Sequence, residues 1–195
     1  MVTGHRYLGG YIRDKETERS WLKENIKGWT EFVTILSRVA HKHPQSAYAG
    51  LKKALQQEWA FVQRVTPVVG DSFGPVEEAL KETFVTAFFK GLQEGVPEQR
   101  VTRLPVKQAG LSLTNPTQTT PENWTASCVI TGHLVAALRG QVEFQTADHS
   151  SCLREGRTAV RRRGQIQAEE ALMAALEGAL FLHARRLRRA TKTRA

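Results

Sequence analysis

Asp14, Asp71 and Asp148 are the three aspartates of the chain, and no two stand close in sequence. Two-metal phosphoryl-transfer sites need clustered carboxylates that hold ions roughly 4 Å apart. The adjacent acidic pairs are Glu77-Glu78 and Glu169-Glu170. Both lie in helical patterns, where neighbours diverge by about 100° around the axis, so they read as solvated surface. No Gly-rich phosphate loop with a Gly-Lys-Ser or Gly-Lys-Thr ending occurs, and no Gly-x-Ser-x-Gly elbow. His41-x-His43 falls at the end of a helical pattern, where histidine suits the negative end of the dipole. Asp148-His149-x-x-Cys152 lacks the second ligand pair of a structural zinc site. Cys128 and Cys152 read as free thiols of a reducing compartment, and Asn123-Trp124-Thr125 as a chance match to a glycosylation acceptor. The expectation is a chain with no catalytic residues, no metal and no cofactor.

The positive signal is charge. The chain carries +9, and residues 153–195 hold eleven Lys or Arg against four Glu, a net +7. Arg161, Arg162 and Arg163 open the last helical stretch, and Arg185, Arg186, Arg188 and Arg189 close it, followed by Lys192 and Arg194. Arg185, Arg188 and Arg189 share a helical face suited to phosphates along a backbone. Such asymmetry points to a polyanionic partner, an RNA or DNA duplex. Charge alone supports equally a solvated, Arg-rich helix end that favours its own dipole.

The elements that would carry these residues are mainly helical. Tyr7-Leu8-Gly9-Gly10-Tyr11-Ile12 predicts two short strands around a Gly-Gly turn. Leu22, Ile26, Trp29, Val33, Leu36 and Ala40 recur at alternating four and three, one stripe of a helix from Asp14 to about His43. Pro44 ends it and can begin the next, whose stripe is Tyr48, Leu51, Leu55, Trp59 and Val62. Pro67 and Gly70 break the chain before a third stripe of Val76, Leu80, Phe84 and Phe88. Short links imply antiparallel packing into a bundle. Trp21, Trp29 and Trp59 read as core or interface residues rather than base-stacking platforms.

Residues 104–113 alternate apolar and polar around Gly110, which is expected to turn at positive φ. Asn115-Pro116 to Pro121 reads as a loop. A further helix is expected from near Glu122, broken between Val129 and Leu134, and a long one from about Ser151 to Arg189. On the latter Glu169 and His183 interrupt the apolar stripe of Ile166, Met173, Leu176, Leu180 and Leu187. No run approaches the roughly 18 apolar residues of a membrane span, and Met1 to Arg6 is polar. The expectation is an intracellular protein without a membrane partner, in nucleus or cytoplasm.

Three stretches together resemble one family. Gly4-His5-Arg6-Tyr7-Leu8-Gly9-Gly10 is similar to the Tyr-Leu-Gly element after the palm of reverse transcriptases from retroelements lacking long terminal repeats. Pro44 to Ala49, with Trp59 and Arg64, resembles their helical thumb. Leu104 to Pro116 resembles their Leu-Pro-x-x-x-Gly-Gly-Leu-x-x-x-Asn-Pro element, with Ala109 in place of the first Gly. The resemblance extends over nearly the whole chain.

It implies a mainly α fold: a thumb-like helical bundle behind a short N-terminal β-hairpin, with a long basic C-terminal helix. Residues 1–13 would be the primer-grip hairpin, 14–147 the bundle and 148–195 the basic tail. Tyr7, Leu8 and Gly9 would help seat a primer. The implied function is a non-catalytic, template–primer-holding fragment of an RNA-directed DNA polymerase. Its other partner would be the missing palm and fingers portion, whose Tyr-x-Asp-Asp carboxylates would precede Met1. Two other readings remain: a stand-alone basic nucleic-acid-binding module, and a non-binding remnant or interaction scaffold.

Overall fold

The computed structural model describes residues 4–7, 10–13, 15–67, 70–89, 102–106 and 110–178. They are mainly helical. Strands β1 (Gly4–Tyr7) and β2 (Gly10–Arg13) pair antiparallel, with Gly4 opposite Arg13 and Tyr7 opposite Gly10.

Helix α1 spans Lys15–Ala40, with Glu16 and Glu18 in its first turn and Arg38 in its last, each on the side the helix dipole favours. It buries Leu22, Ile26, Trp29, Val33, Ser37 and Ala40. Ser37 replaces the expected Leu36, which is only partly buried, and its hydroxyl is satisfied by Val33 O at 2.7 Å and Thr83 Oγ1 at 3.2 Å. Beyond Ala40 the amides of Lys42 and His43 both return to Val39 O, and Pro44 opens the next rod.

That rod, α2, covers residues 44–65: α-helical Pro44–Gly50, a π-helical turn Leu51–Leu55, and α-helical Gln56–Val65. A third rod, α3, covers 74–88 with the same plan: Gly74–Ala79, a π turn at Leu80–Val85, and Thr86–Phe88. Apolar spacing explains both π turns. Ala47, Leu51, Leu55 and Trp59 recur strictly every four residues, as do Val76, Leu80, Phe84 and Phe88. On a straight α-helix each step of four overshoots by about 40°. An i→i+5 turn underwinds the rod and keeps these side chains on one side. In α1 the alternation of fours and threes removes the overshoot, and the helix stays α throughout.

The three rods and the 3-10 turn Gly70–Phe73 close one core. At its centre Trp29 stacks on Phe73, with centroids 5.8 Å apart, and meets Trp59 edge-on at 6.4 Å. The indole N–H of Trp29 donates to Glu58 Oε2 at 3.0 Å, so its polar edge is satisfied.

Residues 102–106 and 110–113 close on each other through their backbones. The amides of Leu111 and Leu113 both donate to Thr102 O at 3.1 Å, and that of Ser112 donates to Leu104 O at 2.8 Å. Gly110 does not turn at positive φ as expected; the residue that does is Ser112, at φ 50°. Gly110 is needed because a Cβ there would collide with the Leu104 carbonyl.

Helix α4 spans Pro116–Leu138, so the expected loop before Glu122 is helix, and no break occurs at 129–134. Asn115 is its N-cap, accepting from the amides of Thr117 and Gln118, and Pro116 occupies the first turn. Pro121 sits inside the helix, while buried Gln63 of α2 donates to Pro116 O at 2.8 Å and accepts from Asn123 at 2.7 Å. Gly140, at φ 69°, ends α4: its amide returns to Ala137 O and that of Gln141 to Ala136 O.

Helix α5, Thr146–Gly178, begins five residues before the expected Ser151 and packs back along α4 as a helical hairpin. No helix among the described residues is long and apolar enough to cross a membrane.

Candidate nucleic-acid interface

Helix α5 meets α4 closely at Gly156. Gly156 is buried, and a Cβ there would collide with the Ile130 side chain of α4. Residues 157–166 are all exposed. From 157 to 166 α5 is therefore left uncovered by the rest of the fold.

Its arginines do not act as one block. At about 100° per residue, Arg161 and Arg163 point to nearly opposite sides, with Arg162 between them. Arg161 instead shares an arc of about 60° with Arg154 and Arg157, two residues outside the Arg runs. All five side chains are exposed. The ion pair found among the described residues lies elsewhere, between Arg103 and Glu77 at 3.0 Å. From Arg154 to Arg161 the helix rises about 10 Å, roughly three base steps at 3.4 Å each. Unpaired guanidinium groups on that arc present forked donors to successive phosphate oxygens. Helical phase is the signal that could have found Arg154 and Arg157 in the sequence, because they precede Arg161 by seven and four residues.

Of the other expected site residues, Tyr7 lies at the end of β1, its backbone paired with Gly10. Leu8, Gly9, Arg185, Arg186, Arg188 and Arg189 lie outside the described residues. Nothing described brings the strands and the α5 arginines together.

A second cationic constellation lines a shallow groove between the start of α1, the 70–75 segment and the first half of α4. Arg19, Lys23 and half-buried Trp124 face it, with Asp71 as the opposing charge. Cations beside a partly exposed indole can meet a phosphate and a base edge.

Glu77 corrects the reading of the acidic pairs. It is not merely solvated: Oε1 accepts from Arg103 at 3.0 Å and from Asn115 Nδ2 at 2.7 Å, tying α3 to the cap of α4. Glu78, Glu169 and Glu170 are exposed. On α2, Tyr48 donates to Leu111 O at 2.7 Å and Lys52 to Ser112 O at 2.6 Å, and burial lowers the Lys52 pKa from its ordinary 10.5. These two side chains hold the 110–113 segment against α2. At the hairpin tip, His133 Nε2 accepts from the Gln145 amide at 3.1 Å, and Phe144 lies between His133 and His149.

Among the described residues no three of His, Cys, Asp and Glu converge as metal ligands. Cys128 and Cys152 are both free thiols. No protein-family model, curated protein or solved structure matches the chain.

Proposed function

We propose that the chain holds a nucleic-acid backbone without performing chemistry on it, as a thumb-like part of a reverse transcriptase from a retroelement lacking long terminal repeats. The observation that carries the proposal is the exposed Arg154–Arg157–Arg161 arc, free of carboxylate partners among the described residues. The Tyr-Leu-Gly, Pro-Gln-Ser-Ala-Tyr and Leu-Pro…Asn-Pro stretches supply the family, and the hairpin around Tyr7, Leu8 and Gly9 would seat a primer once a palm is supplied. A core closed by α1–α3 with Phe73 and Leu113 also favours a second reading, a self-standing binding module of the same chemistry.

The experiment is titration of an RNA–DNA duplex by the chain at several salt concentrations. Each phosphate contact contributes about −0.9 to the slope of log affinity against log salt. Replacing Arg154, Arg157 and Arg161 together with Gln should make that slope shallower by roughly two to three units, evenly across sequences. Replacing Arg185, Arg186, Arg188 and Arg189 should remove a further two to four units or so. No nucleotide incorporation is expected with Mg²⁺ or Mn²⁺. Weak binding by the chain alone fits the fragment, and tight binding fits the self-standing module. Titration curves indistinguishable from wild type for both variants would leave the arginines as solvated helix surface and end the proposal.

A further inference from the structure

Helix α1 carries a second apolar stripe that the fold does not use. Phe32, Ile35 and Val39 are 56%, 50% and 37% exposed. With Gly28 they recur at four, three and four, a heptad-like seam about 130° around the axis from the stripe that faces the core. Gly28 is unexplained by the fold itself: a Cβ there would meet nothing within 4 Å, and a mid-helix glycine destabilises a helix relative to alanine. A small residue in an apolar seam with open space above it has a function if another helix comes close at that point.

We propose that this face of α1 is a dimer interface, and that its occupant is α1 of a second copy running antiparallel. The charges select this partner. Centring a two-fold axis between Phe32 and Ile35 sets each Phe32 against the other copy's Ile35, and each Gly28 against the other copy's Val39. The small residue then faces a branched one at both ends of the seam. The same register brings two exposed charges on the outer flank, Glu31 and Arg38, opposite each other across the axis. Each Glu31 meets the second copy's Arg38, twice by symmetry. A parallel pairing would instead set Glu31 toward the half-buried Leu36, with no charge to meet it. The antiparallel contact is isologous and closes at two copies. The seam is four residues long, so the expected dissociation constant is on the order of 10 μM, well short of an obligate dimer.

The test is sedimentation equilibrium of the nuclease-treated full chain, with circular dichroism to confirm that each variant keeps its helices. Wild type should be mainly dimeric at roughly 100 μM. Phe32→Glu should be monomeric there, as should Ile35→Lys; both residues are exposed, so the fold should tolerate them. Glu31→Arg sets a new guanidinium against the second copy's Arg38, twice by symmetry. Arg38→Glu likewise sets a new carboxylate against Glu31 twice. Each should weaken self-association by about tenfold or more. An equimolar mixture of Glu31→Arg and Arg38→Glu chains restores both opposite-charge pairs and should dimerise about as well as wild type. Monomeric wild type at that concentration overturns the proposal. So does a dimer that survives Phe32→Glu, an assembly larger than two, or failure of the two charge variants to rescue each other.

Discussion

Gly110 shows how one residue can be needed for a reason its sequence context does not reveal. A glycine in a Leu-Pro…Asn-Pro loop suggests positive φ, but that conformation falls on Ser112, whose hydroxyl also accepts from the Val106 amide at 3.2 Å. What Gly110 provides is room beside the Leu104 carbonyl. The two roles predict different mutational behaviour. A positive-φ site tolerates Asn better than Ala, whereas a close backbone approach rejects any Cβ. Gly110→Ala and Gly110→Asn should therefore both destabilise by about 1–3 kcal/mol in urea melts, with no advantage for Asn. An unchanged midpoint for Asn alone would return the site to positive φ. Glu77 makes the same point. Its neighbours in sequence suggest a solvated carboxylate, but its partners lie 26 and 38 residues away, at Arg103 and Asn115.

At the scale of elements, apolar spacing located the rods well. All the core residues expected from α1–α3 are buried or packed against the core, Tyr48, Leu36 and Phe88 among the partly buried ones. The strict four-residue steps also carried the cause of the two π turns, since a stripe that overshoots must be underwound to stay on one face. The start of α4 is not legible in the sequence because Asn115-Pro116 and Pro121 look like loop punctuation. In the fold Asn115 caps, Pro116 needs no amide in the first turn, and Gln63 supplies side-chain partners around the turn that contains Pro121. The hairpin of α4 and α5 depends on Gly156. Gly156→Val should force the helices apart at Ile130 and cost about 1–3 kcal/mol. Combining it with Ile130→Ala should cost less than the sum of the two single changes, since the smaller side chain makes the room that valine needs. Additive losses in a double-mutant cycle would show that the helices are not in contact there.

At the scale of the molecule, burial is uneven. Trp29, Trp59, Phe73 and Phe84 are enclosed, whereas α5 exposes every residue from 157 to 166. Amides in buried cores open only with global unfolding, and those of exposed helices open locally. Hydrogen exchange should therefore be slow in the central turns of α1 and α2 and faster by orders of magnitude in α5 beyond Gly156. Equal protection of the two would mean that α5 is packed against something. This division follows the charge, a nearly neutral body and a basic final helix, and charge distribution is visible in any sequence.

The sequence by itself determined the helical class, the three core stripes and the concentration of positive charge. Each depends on periodicity or composition along the chain, which local geometry converts directly into a face or a field. Only the tertiary structure decided that Gly110 yields to the Leu104 carbonyl, that Glu77 joins Arg103 to Asn115, and that the arc of Arg154, Arg157 and Arg161 stays uncovered. It also decided that Phe32, Ile35 and Val39 stay outside the core. Each of these depends on which face of a helix is covered by residues distant in sequence. A helix carrying two apolar stripes contains no local information about which of them the rest of the chain will bury.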